Sequence, residues 1–181
     1  MAERSSKGFR DWFIEQLAMY AAYHRDRRNQ LTHHFGVPLI VFALLLALTQ
    51  IPLGDVSNLP ISAAMLVLAV LLLAYIVAVP VTGIFTAMFY VVIFALVLKV
   101  AEQSAPVIWS LTAAAFVVGW IIQFVGHAFE GRRPALTVNL LQIFMAPPFL
   151  VAEILFAVGF ERQLGETLLL RSVKYLPEKT A

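Results

Sequence analysis

The sequence predicts an all-α membrane protein. It reads as four transmembrane helices, an N-terminal amphipathic helix and a C-terminal re-entrant or interfacial helical segment, all within one integral membrane domain, 1–181. Three observations predict this. First, of 181 residues, 61% are hydrophobic and 13% charged, with a mean hydropathy of +0.84. A soluble domain is about 45–50% apolar and about 25% charged, and at about 150 residues it still exposes roughly 30% of its unfolded surface. That excludes a soluble globular protein, a disordered chain and a collagen-like fibre. Second, residues 35–98 carry one charged side chain, Asp55. At about 20 residues per crossing, such a run passes the bilayer more than once. Third, the Lys and Arg residues are unevenly spread, as membrane orientation requires.

The elements follow in order. Phe9, Trp12, Phe13, Leu17 and Tyr20 recur at three- and four-residue spacing, with Arg10, Asp11 and Glu15 off that face. This predicts an amphipathic helix over 8–24 lying at the membrane surface, the alternative being a helix packed on the rest of the protein. Residues 1–34 contain no apolar core of the signal-peptide kind. Span one is expected at about 36–51, ending before Pro52, Gly54 and Asp55. Span two is expected at about 60–79, ending at Pro80, with Thr82-Gly83 turning the chain into span three at about 84–99. Lys99, Glu102, Gln103 and Pro106 mark the next loop, and span four follows at about 107–126.

The stretch 140–160 is apolar but holds Pro147-Pro148 and Glu153. A mid-span carboxylate costs about 2.5–3.5 kcal/mol, and each proline removes a backbone donor, so a re-entrant or interfacial helical hairpin is expected rather than a fifth span. Four spans put 12 of the 13 Lys/Arg on one side, with Lys99 alone opposite; five would divide them eight against five. Both termini are therefore expected in the cytoplasm, in the inner membrane of a bacterium or the endoplasmic reticulum of a eukaryote. The tail beyond Lys174 is expected to fray.

The chemistry is bounded by what is missing. With no cysteine, disulfides, thiolate metal sites and cysteine nucleophiles are excluded. The net charge of +2 reflects orientation, and no nucleic-acid partner is expected. The four histidines are His24, His33, His34 and His127. Topology brings all of them to one cytoplasmic layer, where they are either ligands or tolerated headgroup-level residues. Glu130 follows His127 at i+3, on the same helix face. Imidazole with carboxylate makes a nitrogen–oxygen site suited to iron, zinc, manganese or nickel. His24 and His33 lie nine residues apart, about 180° on one straight helix, so they converge only across a break. Arg25-Asp26-Arg27-Arg28-Asn29 offers that break, with Asn29 as helix cap, as orienter of a histidine, or both. His34 points about 100° away from His33 and is the weakest ligand candidate. Trp109 and Trp120 read as interface and packing residues.

Tyr23-His24, Asn29, His33 and Gly36-Val37-Pro38 form one motif block. Gly119-Trp120, Gln123-Phe124, Gly126-His127, Glu130, Arg132-Arg133-Pro134-Ala135-Leu136, Asn139, Pro147 or Pro148, and Glu153 form another. On these blocks the chain resembles, over roughly 20–160, the small multi-pass membrane proteins typified by the yeast endoplasmic-reticulum 2-hydroxy fatty acid dioxygenase. It departs from the pattern at Arg27, where many relatives have proline, and at His34, which has no counterpart. The resemblance implies an Fe(2+)-dependent dioxygenase of fatty acid α-oxidation that shortens a 2-hydroxy acid by one carbon. It implies a fatty acid or membrane lipid and molecular oxygen as partners, with a homo-oligomer as a further option. His24, His33 and His127 are then expected as metal ligands, with Glu130 as fourth ligand or as base. Asn29 and Arg133 join Glu130 as catalytic candidates, and Arg132, Arg133 and Gln123 as substrate-binding ones. The rivals are a zinc-dependent membrane hydrolase, a bis-histidine haem protein, and a non-enzymatic scaffold or transporter.

Overall fold

The computed structural model describes residues 2–57, 59–133 and 140–176. The motif residues Pro134, Ala135, Leu136 and Asn139, and the tail beyond 176, lie outside the described residues. Helix α1 covers Ala2–Ala22 and α2 covers Arg27–Thr49. A short antiparallel hairpin follows, β1 at Pro52–Val56 and β2 at Leu59–Ser62. Helices α3 (Ala63–Ala78), α4 (Pro80–Ala101) and α5 (Ala105–Glu130) complete the first part. A 3-10 turn at Leu140–Phe144 leads into α6 (Ala146–Ala157), α7 (Arg162–Ser172) and a last 3-10 turn at Val173–Tyr175.

Three helices, α2, α4 and α5, are long and apolar enough to cross a membrane. The 16 residues of α3 rise about 24 Å, somewhat less than the roughly 30 Å of a hydrocarbon core. Large apolar side chains face outward along these helices: Leu73 is 64% exposed, Val92 64% and Phe124 57%. Exposed apolar surface of this extent marks a partner or a lipid face, and soluble monomers avoid it.

Several boundaries differ from the sequence reading, each for a physical reason. Helix α2 begins at Arg27 rather than after Asn29, because Asp26 caps it: the Asp26 carboxylate accepts from the Arg28 N–H at 2.8 Å. Asn29 is therefore not the cap; it sits inside the first turn, fully buried. Gly54-Asp55 belongs to β1 rather than to a turn, yet Gly54 keeps a positive φ of 118° at a shift in the strand register, and Ser57 after the strand has a φ of 51°. Pro80 opens α4, where its missing N–H would have no helical acceptor anyway. The α3–α4 reversal is made by Val79 alone, and Thr82-Gly83 is part of the helix. Gly83 is needed there because a Cβ would lie 2.5 Å from the Tyr75 carbonyl oxygen. Pro147-Pro148 occupies the first turn of α6, so neither proline breaks a helical bond and one helix forms.

Helix α1 is packed on the bundle. Phe13 is 2% exposed, Leu17 0% and Tyr20 5%, and the Phe13 ring meets Tyr75 edge-on at 5.8 Å. Helix α7 and the turn after it hold α1 from outside. Arg171 pairs with Asp11 at 3.2 Å, Lys174 pairs with Glu15 at 2.7 Å, and the Tyr175 hydroxyl donates to Glu15. These pairs are partly exposed and contribute little each.

The contact that positions the site is α2 against α5. A Cβ on Gly36 would lie 3.0 Å from the Gly119 carbonyl, and one on Gly119 would lie 2.7 Å from Ile40 Cγ1. A Cβ on Gly126 would collide with Thr32 Oγ1 and lie 2.5 Å from Asn29 Oδ1. Three glycines thus let two backbones approach as small-residue seams do in membranes. By contrast, a Cβ on Gly8 would meet nothing within 4 Å. Gly119→Ala and Gly126→Ala should each lower stability by about 1–3 kcal/mol through overpacking. Gly8→Ala should be neutral or slightly stabilising. Thermal unfolding of the detergent-solubilised protein reads the difference, and equal melting of all three variants would contradict the seam.

Candidate metal centre

Three histidines from three segments meet in one place. His24 lies in the turn after α1, His33 in the second turn of α2, and His127 one turn before the end of α5. All three are buried, at 3%, 3% and 6% exposure. Each offers a ring nitrogen, and these atoms lie within 4.8 Å of one another. The closest approach is His24 Nε2 to His33 Nε2, 3.0 Å. Ring centroids are 5.0 Å apart for His24–His127 and for His33–His127.

The backbone sets the orientation of two of the rings. His24 Nδ1 donates to the Tyr20 carbonyl at 2.7 Å, and His33 Nδ1 donates to the Asn29 carbonyl at 2.9 Å. A carbonyl only accepts, so both Nδ1 atoms carry the proton. Both Nε2 atoms then present lone pairs to each other across 3.0 Å. Facing lone pairs in a buried site repel, and a cation between them removes the repulsion. Ligand imidazoles held by a carbonyl on the far nitrogen are the usual supporting arrangement of metal sites. Burial pushes the His24 imidazole well below its ordinary range, and the neighbouring His33 adds to the effect. The ring is therefore neutral, the form that binds metal. Tyr20 stacks on it at 3.9 Å between centroids, 10° from parallel.

A clasp formed by Glu130 holds the turn that carries His24. Its carboxylate accepts from the Arg25 N–H at 3.1 Å, the Asp26 N–H at 2.8 Å and Asn29 Nδ2 at 3.0 Å. Asn29 Nδ2 also reaches the Tyr23 carbonyl at 3.4 Å. Both oxygens of Glu130 are therefore engaged by the chain, and Glu130 is not one of the converging metal-binding groups. Asn29 serves the site twice, through its carbonyl on His33 and its amide on Glu130.

The remaining sequence candidates separate. Gln123, one turn before His127, is 5% exposed, and its Nε2 has no hydrogen-bond partner among the described residues. Arg132 donates to the Ala22 carbonyl at 2.9 Å and the Tyr175 carbonyl at 3.2 Å, with its guanidinium 3.9 Å above the Tyr23 ring. It joins the ends of α1 and the last 3-10 turn. Arg133 is exposed. His34 is half-buried and donates to the Gln30 carbonyl at 2.8 Å, away from the three converging rings.

A cavity of about 430 Å³ opens from the histidines. Its walls come from α2, α3, α4, α5 and the 140–147 segment, including Val37, Leu45, Leu71 and Ile143. This is the size range of small-molecule sites. Tyr20, Trp120 and Gln142 also line it, and sequence reasoning missed them as site residues. Tyr20 had a legible signal, since it stands one turn before His24. Gln142 had little beyond being a lone amide in an apolar stretch.

With this geometry in view, comparison with known proteins is direct. Residues 11–158 match the family described as Mpo1-like, 2-hydroxy-palmitic acid dioxygenase Mpo1-like. The 2-hydroxy-palmitic acid dioxygenase MPO1 of Saccharomyces cerevisiae is 34% identical over 155 residues, which cover 84% of this chain and 85% of the yeast protein. No solved structure matches. The match spans all three histidines and the whole wall of the cavity, and the chain belongs to the Mpo1-like family.

Proposed function

We propose that the protein is a ferrous-iron-dependent dioxygenase that shortens 2-hydroxy long-chain fatty acids by one carbon at the cytoplasmic face of a membrane. The observation that carries this reading is the convergence of three buried imidazoles at the mouth of an apolar cavity. A donor set of three nitrogens suits iron, zinc, copper or nickel. Dioxygen chemistry and the yeast relative's name favour iron among them. His24, His33 and His127 would hold it. When bound, ferrous iron supplies the electrons and open coordination positions that dioxygen and the two head oxygens of a 2-hydroxy acid require.

The chain's own groups do the rest. Carbonyls of Tyr20 and Asn29 keep two rings in the ligating tautomer. Glu130 and Asn29 keep His24 in place from behind. Gln123 supplies a buried N–H donor for the substrate carboxylate, and the exposed Arg133 draws the anion towards the surface. The apolar wall excludes water and takes the acyl chain. Along α2 the cavity runs from His33 to Leu48, about 22 Å at 1.5 Å per residue, against about 15 Å for half a hydrocarbon core. A lipid-length tail therefore has room. In the membrane we place α2, α3, α4 and α5 as four crossings, the hairpin extending α3 at the far side. Both termini then share the cytoplasmic side with 12 of the 13 Lys/Arg.

Protein purified without chelator should contain about one iron per chain. His24→Ala, His33→Ala and His127→Ala should each lose it while keeping helical content, read by elemental analysis and circular dichroism. Unchanged metal in all three variants would refute the site. With Fe(II), the wild-type protein should consume oxygen on adding a 2-hydroxy acid. Absence of uptake across a series of chain lengths would refute the substrate, and zinc with hydrolase activity would favour the rival. Glu130→Ala should weaken metal binding by about 10–100-fold, as loss of a supporting residue does. Arg133→Ala should leave metal content unchanged and raise KM.

A further inference from the structure

One buried amide in the cavity wall is unused by the metal centre and its supports. Gln142 lines the cavity, is 1% exposed, and its Oε1 has no hydrogen-bond partner among the described residues. It is not a loose side chain. Its Nε2 donates to Gln16 Oε1 at 2.9 Å, which anchors the amide from α1. Gln16 and Tyr20 stand one turn apart on α1, and Tyr20 stacks on His24, so the anchored amide belongs to the histidine end of the cavity. A buried polar atom left unpaired is costly, and native proteins retain such atoms where a ligand supplies the partner.

The chemistry of that partner is constrained. With the amide held through Nε2, the open atom is an acceptor and requires a donor. If both amides of the Gln16–Gln142 pair turn over together, the open atom is a donor instead. A hydroxyl satisfies either arrangement, because it both donates and accepts, whereas a carboxylate only accepts. Gln123 already offers its Nε2 as the donor suited to a carboxylate. Resting on the fatty-acid reading above, we infer that Gln142 recognises the hydroxyl of the substrate head and distinguishes hydroxylated acids from plain ones. A site built to bond a hydroxyl disfavours the analogue lacking it, since its own polar group is then stranded.

The experiment is a cycle between protein and ligand. The full-length chain in detergent is titrated with 2-hydroxyhexadecanoate and hexadecanoate, each by displacement of a fluorescent fatty acid. Wild-type protein should prefer the hydroxy acid by about tenfold or more. Gln142→Met should lose about tenfold of that preference while binding hexadecanoate as before. Gln142→Glu, which keeps the shape and the acceptor oxygens and is held by Gln16 once that amide turns its N–H towards the carboxylate, should retain the preference. Any contribution of metal to the hydroxyl is common to all three proteins and cancels in the ratio of ratios. A structural role for Gln142 would weaken both ligands alike and leave the preference intact. An unchanged preference in Gln142→Met, or its loss in Gln142→Glu, overturns the inference and leaves the functional reading standing. If Gln142→Met does not fold, 2-fluorohexadecanoate on the wild type stripped of metal by chelator decides, since no metal then contributes to the hydroxyl. Of similar size but without a donor, it should bind like hexadecanoate, and binding like the hydroxy acid overturns the inference. Wild-type protein that binds none of these acids refutes the functional reading itself.

Discussion

The close approach of α2 and α5 is the constraint from which the site follows. Gly36, Gly119 and Gly126 remove the side chains that would otherwise hold the two backbones apart. Because helices in lipid gain little from hydrophobic burial against each other, close packing has to supply the association. The seam also sets register. It places Thr32 and Asn29 against Gly126, and hence His33 beside His127 and Asn29 beside Glu130. From there Glu130 takes hold of the turn that brings His24 in. One packing contact therefore determines the relative position of all three imidazoles, though they come from distant parts of the sequence.

The polar groups around the site are gathered at one end of the bundle, and most of them are paired. Glu130 satisfies three N–H groups, two carbonyls hold histidine rings, and Arg132 satisfies the carbonyls of Ala22 and Tyr175. In this setting the exceptions carry information. Asn29 Oδ1, His127 Nδ1, Gln123 Nε2 and Gln142 Oε1 have no partner among the described residues, and the last three of these side chains line the cavity that the histidines open into. A cavity with polar atoms at one end and an apolar body about 22 Å long along α2 is matched to an amphiphile.

Much of this was legible in the sequence. Hydropathy located the long helices, and the 180° argument required a break between His24 and His33. The motif blocks pointed to His24, His33, His127 and Gln123. What was hidden depended on tertiary context. Asn29 and Asp26 are both good caps in isolation, and the choice fell to Asp26 because Asn29 is drawn inward by Glu130. Gly83 looked like a turn residue because glycine serves turns and close packing equally, and only the Tyr75 carbonyl beside it tells which. The proline pair looked like an interruption because its cost depends on where the helix starts. Arg132 and Arg133 are neighbours of one type, and their separation into a brace and an exposed cation follows from the last 3-10 turn, which no local pattern announces.

The position of Glu130 bears on what the site binds. Had its carboxylate joined the histidines, a divalent ion there would keep one net positive charge. With both oxygens engaged by the turn, the three converging groups are neutral imidazoles, and a divalent ion among them keeps two. Charge in a low-dielectric pocket is expensive unless matched. Among the described residues no acidic side chain lines the cavity, so a ligand that carries negative charge is favoured there. On the proposed function, a carboxylate-headed amphiphile would supply that charge, with its tail on the apolar wall. The same argument disfavours a neutral ester or amide as the resident ligand, because such a molecule would fill the cavity and leave the charge uncompensated. The hydrogen bonds that tie Glu130 to Arg25, Asp26 and Asn29 thus keep its carboxylate outside the cavity, where it acts on His127 through charge alone.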